Sequence, residues 1–124
     1  MDANSLEERL IIYAVLILEI AGFLPNSFEG RHLASQLIKS GTSTALNYGE
    51  AQAAESKKDF LHKIRIILKE LKETHICLRI IKLRNKIGDS VILEKGISET
   101  YELVLIFSSI SKTTEKNLHA KSKL

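Results

Sequence analysis

The 124-residue chain has one cysteine, one proline, no tryptophan and few aromatic residues of any kind. A lone cysteine, Cys77, excludes an internal disulfide and fits a reducing compartment, the cytoplasm by default. It sits in an apolar helical stretch, where a packing thiol is expected rather than a nucleophile. With one proline and no Asn-Gly or Asp-Gly pair, little is available to build hairpin turns. The longest apolar run, Leu10 to Leu18, is nine residues. That is short of the ~20 needed to span a bilayer, so no membrane role is expected. The opening MDANSLEERL is acidic before it is apolar, the reverse of a secretory signal. Absent too are HExxH, a cysteine cluster, a Walker-type loop and GxGxxG. Glu29 and His32 give one Glu-x-x-His spacing, but a di-iron bundle needs two, so no metal or cofactor is expected. No Ser-His-Asp arrangement recommends itself, and an enzyme is not expected.

Helix signals recur four times instead. The pattern predicts helices over about 5–23, 28–54, 57–87 and 91–115, then a basic tail over 116–124, in one domain spanning 1–124. Ser5 and Glu8 form a capping box ahead of Leu6, Leu10, Tyr13, Ile17, Ile20 and Leu24, which share one helix face. Ile11, Ile12, Val15, Leu16 and Leu18 make that helix apolar nearly all round, which implies burial on more than one side. The second helix turns small and polar past Ser40, and a kink near Gly49 is allowed for. The third opens at Ser56, with Asp59 three residues on, and its core row is Phe60, Ile64, Ile67, Leu71, Thr74, Leu78 and Ile81. Gly88 ends it. Ile97, Tyr101, Val104, Phe107 and Ile110 are the expected inner row of the fourth, with Gly96 marking a late or frayed start. The tail is expected to be disordered at its end. Short loops favour antiparallel neighbours, so the predicted fold is all-α: an antiparallel up-down-up-down four-helix bundle.

Charge is unevenly spread. Residues 57–86 hold ten Lys or Arg and three acids, while the rest of the chain is mildly acidic. Lys58, Arg65, Lys72, Arg79 and Lys86 recur every seven residues, with Lys69 and His62 close by. At the helical period this row stands about 120° from the core row and forms a cationic ridge. Such a ridge attracts phosphate backbones, or is simply a solvated bundle face. Ile76, Ile80, Leu83 and Ile87 form a second, apolar strip on the side expected to face solvent. A strip of that size implies a homo-oligomer interface, unless a bundle helix covers it.

Among the polar residues, Ser43, Asn47 and Glu50 share a face of the second helix. Glu70 and Glu73 lie midway along the third. An inward Asn–Glu pair would build a register-fixing network; ligand contact and acid–base chemistry are the lesser readings.

The run S-T-A-L-N-Y-G-E-A from Ser43, followed by S-K-K-D-F-L-H-K-I-R-I-I-L-K-E-L-K-E-T-H-I-C-L-R-I-I-K-L from Ser56, resembles the bacterial four helix bundle protein family. Its members are encoded in intervening sequences of 23S rRNA genes or stand alone. The motif positions are Ser43, Asn47, Glu50, Ser56, Phe60, Glu70, Glu73 and Leu78. Ala51 departs from the family's usual glycine, and Ile67 stands where many relatives carry alanine. The family is related to the accessory protein of diversity-generating retroelements, a basic pentameric barrel that binds nucleic acid and a reverse transcriptase. The resemblance therefore implies a bundle assembled as a ring-like homo-oligomer, a pentamer, with interior structural motif residues and basic surfaces facing RNA or DNA. Lys58, Arg65, Lys69, Lys72 and Arg79 are the expected phosphate contacts, salt-sensitive and weakly sequence-specific. The alternative is a protein–protein adaptor, such as a reverse-transcriptase accessory subunit, that does not itself touch nucleic acid.

Overall fold

A computed structural model describes residues 1–84 and 90–122, and within them all regular structure is helical: α1 (Ala3–Gly22), α2 (Phe28–Gln52), α3 (Lys57–Arg84) and α4 (Ser90–Ser122). Lys86, Ile87 and Gly88 lie outside the described residues, as do Lys123 and the side chain of Lys121.

The starts of α1, α2 and α3 each have a capping side chain. α1 starts earlier than the Ser5 box predicts. Asp2 is the cap, its carboxylate accepting from the Ser5 backbone N–H at 2.8 Å. The earlier cap adds a turn of helix, and Ser5 becomes the residue that is capped. Ser27 caps α2 by accepting from the Gly30 N–H. A side chain on Gly30 would run into the Pro25 carbonyl, so the turn into α2 requires glycine. Ser56 caps α3, accepting from the Asp59 N–H as expected.

The kink allowed for near Gly49 is absent, and α2 is continuous from Phe28 to Gln52. Its polar middle remains helical because the hydroxyls fold back: Thr42, Ser43 and Thr44 donate to the carbonyls of Ile38, Ser40 and Gly41. α4 also differs from expectation. It runs on through the supposed tail to Ser122, and Gly96 is buried in its body.

The helices pack in sequence order and close on themselves, α1 on α2, α2 on α3, α3 on α4, and α4 more sparsely on α1. Cross-helix contacts run antiparallel. Glu29, Ser40 and Glu50 of α2 meet Arg84, Thr74 and Lys63 of α3. Arg65, His75 and Lys82 of α3 meet Glu115, Tyr101 and Glu94 of α4. The fold is the all-α four-helix bundle that the periodicity predicts.

Leu10, Tyr13, Ile17 and Ile20 of α1 are fully buried with Leu37, Ile64, Ile67, Leu71, Leu78, Leu103 and Phe107. Each such aliphatic contributes about 1.5–3 kcal/mol by leaving water. On α3 the predicted row holds from Ile64 to Ile81, but Leu61 is buried in place of Phe60, which is only half-buried at the bundle's end. On α4 the inner row is Leu93, Gly96, Thr100, Leu103, Phe107 and Ser111, and of the predicted set only Phe107 is fully buried. Ile97, Val104 and Ile110 are partly buried, and Tyr101 is exposed.

Two features explain the small and polar residues of the core. Helix α1 approaches closely: a Cβ on Gly41 would lie 2.6 Å from Ile17 Cγ2, and one on Gly96 would strike the end of Ile20. Two buried hydroxyl pairs also bridge helices, α1 to α4 and α3 to α2. The hydroxyls of Tyr13 and Thr100 lie 2.8 Å apart, and those of Thr74 and Ser40 lie 2.7 Å apart. Thr100 donates its one proton to the Gly96 carbonyl, so Tyr13 is the donor to Thr100. Burial drives the Tyr13 phenol far above its ordinary pKa. Among the described residues no buried side-chain polar atom lacks a partner.

Candidate nucleic-acid interface

Helix α3 carries its charge outward because one row of aliphatics fixes which side faces the core. Lys58, Arg65, Lys69, Lys72 and Arg79 are all exposed, as a solvent-facing ridge requires. They are not equivalent. Arg65 lies 3.4 Å from Glu115 of α4, which neutralises part of its charge. Among the described residues, Lys58, Lys69, Lys72 and Arg79 make no ion pair. Lys63, Lys82 and Arg84 do, pairing with Glu50, Glu94 and Glu29. The bases nearest the helix–helix seams thus tie the bundle together, and the outermost ones retain uncompensated charge.

The extension of α4 past residue 115 adds Lys116, expected in the tail, beside Lys112 of the expected helix. Lys112 stands three residues before Glu115 and Lys116 directly after it, so both flank the side of α4 that reaches Arg65. Both are exposed. The basic surface is therefore a two-helix face, the first half of α3 beside the last turns of α4. The signal was present in Phe107, Ser111, Thr114 and Leu118, spaced i, i+4, i+7, i+11, all at least partly buried.

The apolar strip lies further along α3. Ile76 and Ile80 are about half exposed and Leu83 is 90% exposed. With His75, Arg79 and Ile97 they line an open groove of about 870 Å³ between α3 and α4. No helix of the bundle covers them. Arg79 belongs to this groove as much as to the ridge. His75 faces Tyr101 with ring centroids 6.1 Å apart, and burial and then the Arg79 charge lower its pKa.

The motif residues are less interior within one copy than the resemblance implies. Ser43 and Asn47 are half-buried, and the Asn47 amide donates to the Ser43 carbonyl at 2.9 Å rather than meeting a glutamate. Glu50 and Glu73 are exposed, because the face that carries them is turned past the core row. Glu50 holds Lys63 at 2.7 Å. Glu70 is half-buried, and burial together with Glu73 raises its carboxyl pKa. Where the Asn–Glu network was expected, the structure places the Tyr13–Thr100 and Thr74–Ser40 hydroxyl pairs. Burial pushes the Cys77 thiol up, away from nucleophilic character. Among the described residues no three His, Cys, Asp or Glu are grouped to hold a metal ion. Nor is any helix among them long and apolar enough to cross a membrane.

No curated protein matches the chain. Of solved structures, a protein of unknown function from the S23 ribosomal protein family of Bacteroides thetaiotaomicron superposes with a TM-score of 0.79 at 30% identity. The match covers 90% of this chain and 99% of that one. The family model described as 23S rRNA-intervening sequence protein matches residues 8–114, which takes in the hydroxyl pairs, the groove and the basic face as far as Lys112. On that match, and with the bundle that underlies it, the chain belongs to the 23S rRNA-intervening sequence protein family.

Proposed function

We propose that the protein is a non-enzymatic binder of RNA or DNA backbone that works as a homo-oligomer. The observation that carries the proposal is the two-helix basic face, on which Lys58 and Lys69 stand exposed without an ion pair among the described residues, beside Lys112 and Lys116, with Lys72 at its border with the apolar strip. Charge of one sign held on rigid helices favours a polyanion and releases its counterions on contact. Arg65 contributes less, because Glu115 holds it, and Arg79 less again, because it lies in the apolar groove. No aromatic residue alternates with these bases, so the contacts are to phosphate and carry little sequence preference. The exposed Ile76, Ile80 and Leu83 support the second half of the proposal, self-association.

The test is charge reversal at two bases away from the groove, Lys58→Glu with Lys69→Glu. Fluorescence anisotropy with a structured RNA and with duplex DNA should show affinity falling at least tenfold, while circular dichroism and native mass are unchanged. Unaltered affinity would remove the basic face from the account. A specific observation favours the adaptor reading as the alternative, since the groove suits a partner helix as well as a second copy.

A further inference from the structure

The bundle has a second uncovered apolar row. On α1, Ile11, Val15 and Leu18 are 43–49% exposed, and Ile12 beside them is 67% exposed. They stand at i, i+4, i+7, the same spacing as Ile76, Ile80 and Leu83 on α3. Helices α1 and α3 each border α2 and α4 but not one another, so they sit on a diagonal of the bundle. Their outward faces therefore point in opposite directions, and among the described residues nothing of the same chain covers either.

The two rows differ in charge. Glu8 and Glu19, both exposed, flank the α1 row. The one base on α1, Arg9, is neutralised, its guanidinium held at 2.9 and 2.7 Å by Glu99 of α4. On α3, Arg79 lies within the strip and Lys72 at its edge, against Glu73, while Lys82, which also lines the groove, is neutralised by Glu94 of α4. A contact between two α3 strips would bring arginine and lysine rows together. A contact between two α1 rows would do the same with glutamates. Only the unlike pairing matches apolar spacing and joins opposite charges.

We propose that the outward face of α1 in one copy seats in the α3–α4 groove of the next, with Glu8 and Glu19 beside Lys72 and Arg79. This rests on the reading of the α3 strip as a self-association surface and adds which surface covers it. Each copy uses two different faces, so every copy bound leaves one more of each, and the series closes or runs on.

Two variants test it, each spoiling one face at exposed positions: Val15→Asp with Leu18→Asp, and Ile80→Asp with Leu83→Asp. Light scattering of each alone should give the monomer mass of 13.9 kDa, with helical content unchanged by circular dichroism. Mixed, they should give a 1:1 complex of twice that mass, because each supplies the face the other lacks. The pairing is overturned if either variant alone retains the wild-type oligomer, or if the mixture stays monomeric while the wild type is oligomeric. A wild-type protein that is itself 13.9 kDa would overturn the self-association reading too, and would leave the groove to a different partner.

Discussion

Gly41 and Gly49 stand two turns apart on α2, and the same substitution should act in opposite directions at them. Nothing lies within 4 Å of a Cβ at Gly49, so Gly49→Ala should stabilise by about 0.5–1 kcal/mol through backbone entropy alone. At Gly41 the new methyl would meet Ile17 Cγ2 at 2.6 Å and Cβ at 2.9 Å. The branched carbon of Ile17 is fixed to its backbone, so relief requires α1 itself to move, and Gly41→Ala should cost about 1–3 kcal/mol. Urea denaturation of the two variants checks both signs. If Gly41→Ala is neutral, the close packing of α1 on α2 is wrong. The glycine was legible as a letter but not as a contact, because the residue it touches is 24 positions away on another helix.

At the scale of a whole helix, the start of α1 depends on pH through its cap. The Ser5 backbone N–H, and then its side chain, hydrogen-bond to Asp2 and hold the Asp2 carboxyl below its ordinary value. A carboxyl depressed in the folded state contributes stability that is complete above its unfolded pKa. That contribution is lost as pH falls through the folded one. Hydrogen exchange at the Ser5 amide, corrected for intrinsic rates, should therefore lose protection below about pH 4, the ordinary aspartate range. Asp2→Asn should remove that dependence; an unchanged profile would show that the cap is not Asp2. Legibility also divides by helix. The α3 core was readable because apolar residues from Ile64 to Ile81 coincide with the buried row, with the single polar member Thr74 at the right spacing. On α4 the same method chose Ile97, Tyr101 and Val104. The structure turns their neighbours Gly96, Thr100 and Leu103 inward, because α1 needs a close approach at Gly96 and Tyr13 needs a hydroxyl partner at Thr100. Those are demands of neighbouring helices, which one helix's periodicity does not record.

Across the whole molecule, the bundle separates its surfaces. The basic face occupies the end where α3 begins and α4 finishes, the groove lies toward the opposite end of the same two helices, and the acidic apolar row of α1 lies on the far side. The all-round apolar α1 was legible in sequence as a helix buried on more than one side, yet within one copy its outer row is open. The basic ridge was legible too, but its second helix was not, since lysines after Lys112 read as a tail until α4 was seen to continue. The separation lets a copy hold its neighbours and present Lys58, Lys69, Lys112 and Lys116 at once. The most direct test of this account is the salt dependence of wild-type binding, by fluorescence anisotropy with duplex DNA at about 50 and 200 mM salt. With about four phosphates neutralised per copy, affinity should fall about a hundredfold over that range. Affinity that is absent at low salt, or that stays flat across the range, would contradict a phosphate-binding face.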